Sequence, residues 1–209
     1  MTNQIEIGRL LRAGITGFTA GCRVSQWDAP ALGALVRAPI SSSYQVYGLI
    51  HDIHIDDDGL VRQLVTADNV SDEVLRDNRE RRIVPVEMSV LAVGYEQDGR
   101  IFHLLPPRPP LSLDVIYACD DKDIVRFTST GRFGYFRHIL QNKDIPVGEI
   151  LAAHIQQAGK AQGMESEKHA LSKAEVWKEA ATAELITLLR DDYDTLMSVL
   201  SALGDIQAG

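Results

Sequence analysis

Basic charge is in short supply in this chain. Its 209 residues hold 21 Lys and Arg against 29 Asp and Glu, a formal net charge of −8. A surface that grips nucleic acid directly draws most of its affinity from neutralising phosphates, so any nucleic-acid role is expected to run through a partner. No run of 18 apolar residues is present, which argues against a membrane-spanning helix. The opening "MTNQIEIGRLLRAG" has no apolar stretch of signal-peptide length, and a cytoplasmic location is expected. The only cysteines, Cys22 and Cys119, form no CxxC pattern and read as two reduced thiols. The chain also lacks GxxxxGK[ST], GxSxG and HExxH, so no P-loop, nucleophile elbow or zincin helix is expected. Catalytic and cofactor-binding residues are therefore assigned to no position.

From about Ile5 to Thr128 the pattern is of short apolar alternations broken by Gly, Pro, Asp and Asn. In "YQVYGLIHDIHI", Tyr44, Val46, Gly48 and Ile50 share one face, and Tyr47, Leu49, His51, Ile53 and Ile55 share the other. Both faces are largely apolar, which predicts a strand buried on two sides or bent around a barrel. "LGALVRAP", "PVEMSVLAVGY", "RIFHLL" and "DIVRFT" are further strand candidates, and the Asp-Gly pair in "EQDGR" predicts a tight hairpin. Many short strands with closely spaced turns predict a barrel or a sandwich, of which the small closed barrel is the fold expected here. A helical insertion is expected near residues 71–82, capped by Ser71 and ending in Arg76, Arg79, Arg81 and Arg82, which are candidate partner contacts.

The periodicity then changes. "VGEILAAHIQQAGKAQG" and "SKAEVWKEAATAELITLLRDDYDTLMSVLSAL" carry apolar residues at helical spacing. Trp177, Ala181, Leu185, Leu188, Leu189, Leu196 and Leu200 form one expected stripe with Ser172 as its cap, and Gly159 to Glu167 read as a linker. The stripe packs either against the barrel or against another subunit, so Trp177, Leu185 and Leu189 are candidate oligomer or partner contacts. The fold expected is α+β: a barrel domain over residues 1–130, then a helical region over 131–209.

The stretch "HDIHIDDDG" invites a metal reading through His51, Asp52, His54 and Asp56. Setting Gly59 at the sixth position of a calcium loop places His54 first and Val65 twelfth, where neither can serve. Strand parity puts His51 on the opposite face from the other three, and no fourth ligand has recognisable spacing. The stretch is read as a strand running into a polar turn at Gly59, with no metal assigned. "TGRFGYF" lacks the lysine and spacing of a phosphate loop.

"IGRLLRAGITGFTAGCRV" (Ile7 to Val24), "ALGALVRAP", "YQVYGLIHDIHI", "VPVEMSVLAVGY" and the proline-rich "LLPPRPPLSLDVIYACDDKDIVRF" together carry a resemblance. They resemble the HAS-barrel, the N-terminal domain of HerA-type DNA-translocating ATPases, across about Ile5 to Thr128. In such ATPases the barrel precedes a P-loop motor, crowns its ring and helps dock a NurA-type nuclease. No motor residue has a counterpart here. The resemblance therefore implies a non-catalytic assembly protein, a homo-oligomer or the partner of a separately encoded HerA-like ATPase, acting in DNA processing. "GRLLRAGITGFTAGCRV" is also similar to the opening of the PRC-barrel of ribosome maturation factors, which would imply a ribosomal partner. The third reading is a metal-dependent hydrolase built on His51, Asp52, His54 and Asp56.

Overall fold

The computed structural model describes residues 5–24, 30–55, 66, 71, 84–164 and 170–208. Its strands are β1 (Glu6–Ala13), β2 (Gly17–Val24), β3 (Leu35–Ser41), β4 (Tyr44–Ile55), β5 (Val84–Gln97), β6 (Arg100–Phe102) and β7 (Val115–Ala118). All pair antiparallel. The sheet order β2-β1-β7-β3-β4-β5-β6, with a further β2–β5 pairing, closes six strands into a barrel and leaves β6 as an extension of β5. Closure removes the open edges that would otherwise template unwanted pairing. The β5–β6 hairpin turns on Asp98 and Gly99, both at positive φ (50° and 77°), the two-residue geometry that an Asp-Gly pair favours.

Strand β4 is buried on both faces, and each face belongs to a different core. Val46 and Ile50 join Leu10, Phe18, Val36, Met88, Val90 and Ile116 inside the barrel. Tyr47 and Leu49 face outward and, with Leu91 and Val93 of β5, form the floor on which the helices pack. Period-two alternation accounts for this split as far as Ile50. Between Ile50 and Asp52 the β4–β5 register slips by one residue. The bulge reverses parity, so Ile53 packs with the interior set rather than on the face of Tyr47 and Leu49, where simple alternation put it.

The helical region comprises α1 (Asp121–Thr128), α2 (Phe136–Leu140), α3 (Val147–Met164), α4 (Ala170–Leu188) and α5 (Tyr193–Ala208). Here the structure corrects several expectations. "DIVRFT" is not a strand but lies in α1, because the Asp120 side chain accepts from the Asp123 N–H and caps a helix. Gly159 does not open a linker, since α3 continues to Met164. A Cβ on Gly159 would fall 2.4 Å from Lys178 Cε and 2.9 Å from its Cγ, so the glycine leaves room for the Lys178 stem to lie against α3. Ser172 lies inside α4 rather than at its cap. The expected single stripe is divided between two helices, because Asp192 starts a new one: its carboxylate accepts from Thr195 N (3.2 Å) and Thr195 Oγ1 (2.8 Å). Leu188, 44% exposed, falls outside the stripe.

A polar latch joins barrel to helices. His154 of α3 is enclosed; its Nδ1–H donates to Gly33 O (3.2 Å) and its Nε2 accepts from Tyr135 OH (3.0 Å). Gly33 has φ 73°, and a Cβ there would lie 2.8 Å from His154 N and 3.0 Å from Ile150 O. Gly33→Ala is therefore expected to destabilise the protein by about 2 kcal/mol or more, through backbone strain and a forced separation of α3 from the barrel. Urea denaturation measures this, and an unchanged midpoint would mean that α3 is not held against the β3 turn.

Candidate functional site: the barrel rim and its proline-lined groove

Side chains from four strands and one helix converge at the barrel end that carries the β3–β4 and β5–β6 hairpins. Gln45 lies directly opposite Glu96 in the β4–β5 register, and Arg37 opposite both Tyr47 and Tyr117. Cross-strand neighbours share a face, so strand pairing alone brings these groups together. Helix α1 then lays Asp123 and Arg126 across them. Glu96, 9% exposed, accepts from Gln45 Nε2 (2.6 Å), Tyr47 OH (3.0 Å) and Arg126 Nη1 (3.0 Å), and from Arg126 Nη2 through its other oxygen. Arg37 donates through Nε to Asp123 (3.1 Å) and through Nη1 to Gln45 Oε1 (3.2 Å), with its guanidinium 5.3 Å from the Tyr117 ring centroid.

Two guanidiniums and two carboxylates balance one another, and Gln45 relays between the two ion pairs. Burial pushes the Glu96 carboxyl up, but hydrogen bonds from Arg126, Gln45 and Tyr47 outweigh it and hold the group below its ordinary range. Burial, reinforced by nearby Cys119 and Glu96, pushes the Tyr47 phenol well above its usual value. At neutral pH Glu96 is thus a fixed anion and Tyr47 a fixed donor. Neither is tuned toward the proton exchange that general acid–base chemistry requires. A cavity of about 450 Å³ opens beside them, lined by Arg37, Ser42, Gln45, Glu96 and Tyr117 among others.

On the other side of Tyr44 lies a larger groove of about 700 Å³, lined by Ile40, Ser41, Ser43, Tyr44, Gln97, Pro107, Arg108, Pro109 and Leu111. The proline run builds this wall. Its rings stiffen the chain toward an extended path, and Tyr44 OH donates to Arg108 O (2.9 Å) to hold it in place. Tyr44, Tyr95 and Phe102 form an aromatic series with centroid separations of 5.9 and 5.0 Å. Around this segment Leu104, Leu105, Leu111 and Leu113 are exposed, Leu113 by 71%. Leu113 also has φ 72°, a conformation that costs a leucine free energy. It is held there by its N–H donating to Leu10 O (2.8 Å) and by Arg9 donating to its carbonyl (3.3 Å).

The candidate residues read from the sequence lie elsewhere. Arg76, Arg79, Arg81 and Arg82 fall outside the described residues, as does Asp56 and the insertion near 71–82 apart from Ser71. Leu185 and Leu189 are enclosed by this chain's own core, with Phe136, Ile150 and Leu151 in the same cluster, so their packing is intramolecular. Trp177 packs at their margin, its ring 5.4 Å from Phe133, and its indole N–H has no hydrogen-bond partner among the described residues. His51 is half-buried, while Asp52 and His54 are exposed. Among the described residues, no group of three or more His, Cys, Asp or Glu is placed to hold a metal ion. Both cysteines are free thiols, and no described helix is long and apolar enough to cross a membrane.

The rim residues Arg37, Gln45, Glu96 and Arg126 escaped sequence reasoning. Their sole local signal is Glu96 entering the "EQDGR" turn; the rest depends on register. No protein-family model matches the chain, and no curated protein matches it.

Proposed function

We propose that this chain is a non-catalytic assembly module that binds a protein partner through the proline-lined groove. The observation that supports this most is the groove itself: a trough lined by Ile40, Tyr44, Pro107, Pro109 and the exposed Leu111, with the exposed and strained Leu113 two residues further along the same segment. Contiguous exposed apolar surface on a folded domain favours protein contact. Tyr44, the prolines and the leucines supply area at little entropic cost, because the proline segment is already ordered. The resemblance of Ile5 to Thr128 to the HAS-barrel points to a separately encoded HerA-type ATPase as that partner. The acidic balance of −8 fits a division of labour in which the motor, or a nuclease acting with it, contacts DNA.

The test is co-expression with a HerA-type ATPase from the same genome, followed by size-exclusion chromatography with light scattering. The wild type is expected to co-elute with the ATPase. The double variant Leu111→Asp/Leu113→Asp is expected to lose at least about tenfold in affinity, as buried apolar anchors do on truncation or charging. Its melting temperature should hold, since both side chains are exposed. Separate elution of the wild type, or undiminished binding by the double variant, would remove this reading.

A further inference from the structure

A third cleft, of about 320 Å³, lies on the outer wall of the barrel and is absorbed by neither the rim network nor the groove. Strand register explains its composition. Arg12 pairs with Thr19, Thr19 with Ser89, and Ser89 with Asp52, in one row across β1, β2, β5 and β4. Phe18, Ala20, Met88 and Val90 flank that row in sequence and fill the barrel interior, so the side chains of Thr19 and Ser89 point outward. His51 is the extra residue at the β4 bulge, and bulges redirect a side chain out of the regular alternation. It joins the lining together with Thr16 of the β1–β2 turn and Asn142, which reaches over from the connection between α2 and α3. Asn142 Oδ1 accepts from Asp144 N (3.1 Å), which fixes the oxygen toward the chain and leaves both Nδ2–H donors available.

The lining thus combines one guanidinium, one imidazole, one amide and several hydroxyls, with no carboxylate among its residues. In a chain of net charge −8 this is an unusual local balance. Arg12 does approach Glu87 at 3.9 Å, but both side chains are substantially exposed. An exposed pair of that kind is weak, so the guanidinium can turn toward a ligand. Burial lowers the His51 imidazole below its ordinary value, and the weaker influence of Asp52 beside it favours the protonated form. An incoming anion would act in the same sense as Asp52.

We infer that this cleft binds a small phosphate monoester, with Arg12 and His51 contacting the phosphoryl oxygens and Thr19, Ser89 and Asn142 completing the hydrogen bonds. The donor set suits a tetrahedral oxyanion, and the volume exceeds a single phosphate, leaving room for its organic substituent. The inference is independent of the docking groove.

The experiment uses the full chain, with inorganic phosphate and then phenyl phosphate titrated at neutral pH while the His51 imidazole resonances are followed by NMR. Sodium chloride at matched ionic strength is the control. Saturable movement of the His51 signals is expected with both phosphates, tighter for the ester, and not with chloride. Arg12→Gln, a change at an exposed side chain that leaves the fold intact, is expected to weaken binding about tenfold, the loss of one charge-assisted contact. Chloride-like linear drift with either phosphate, or equal affinity in Arg12→Gln, would overturn the assignment. Inorganic phosphate binding as tightly as the ester would overturn the monoester and leave an adventitious ion only.

Discussion

Leu185→Asp is expected to abolish cooperative folding at 37 °C, whereas Ile186→Asp one residue away is expected to leave stability within about 0.5 kcal/mol of wild type. Leu185 is fully enclosed in the cluster that joins α3, α4 and α5 to the barrel wall, while Ile186 is 46% exposed. Emptying a buried leucine site costs about 2–5 kcal/mol, and an unpaired carboxylate in that space adds its desolvation penalty. Against a total stability of about 5–15 kcal/mol for a native protein, the sum is decisive. Thermal melting and native mass read the result. If Leu185→Asp keeps both, the helical region does not share a core with the barrel.

Mild acid should be the second large perturbation. The His154 imidazole sits between Gly33 O and Tyr135 OH, and burial lowers its pKa from 6.5 to about 4. The unfolded chain therefore binds a proton at a pH where the folded chain does not. The stabilising contribution is fully present above 6.5 and is lost as pH falls from there toward 4. A tenfold difference in proton affinity between the folded and unfolded chain is worth about 1.4 kcal/mol, so His154 alone costs the fold roughly 3 kcal/mol over this window. His103 acts in the same direction: burial lowers it to about 4, with Nε2–H donating to Phe127 O at 3.1 Å. Glu96, held below its ordinary 4.5, adds a further loss under more acidic conditions as it protonates. Denaturant midpoints from pH 7 to pH 4 should decline steadily. His154→Gln should be less stable at pH 7 and show a shallower decline. A midpoint indifferent to pH over this range would mean that His154 is not buried as a neutral ring.

Particular elements show where local signals sufficed. The Asp-Gly pair at 98–99 specified its own hairpin, because few residues tolerate positive φ at two successive positions. The double-sided apolar pattern of β4 predicted burial on both faces, and the structure assigns one face to the barrel interior and the other to the core beneath the helices. By contrast, "DIVRFT" has residues that suit a strand, and the capping Asp120 overrode that preference. The break at Asp192 was equally local, yet an apolar stripe running across it concealed the cap.

What the amino-acid order determined unaided was the alternation of inward and outward side chains along β4 as far as Ile50, the Asp98-Gly99 turn, and the presence of a helical region after the strands, though not where it starts. Those depend on neighbours a few residues apart. A barrel was already expected from the sequence, but its strand register and the seating of α1 across the strands belonged to the tertiary structure alone. They bring Glu96 to Gln45 and Arg126, and gather Arg12, Thr19, Ser89 and His51 around one cleft. A single bulge after Ile50 decides which face His51 and Ile53 occupy. Such slips arise from packing between strands distant in sequence, so no window along the chain could reveal them.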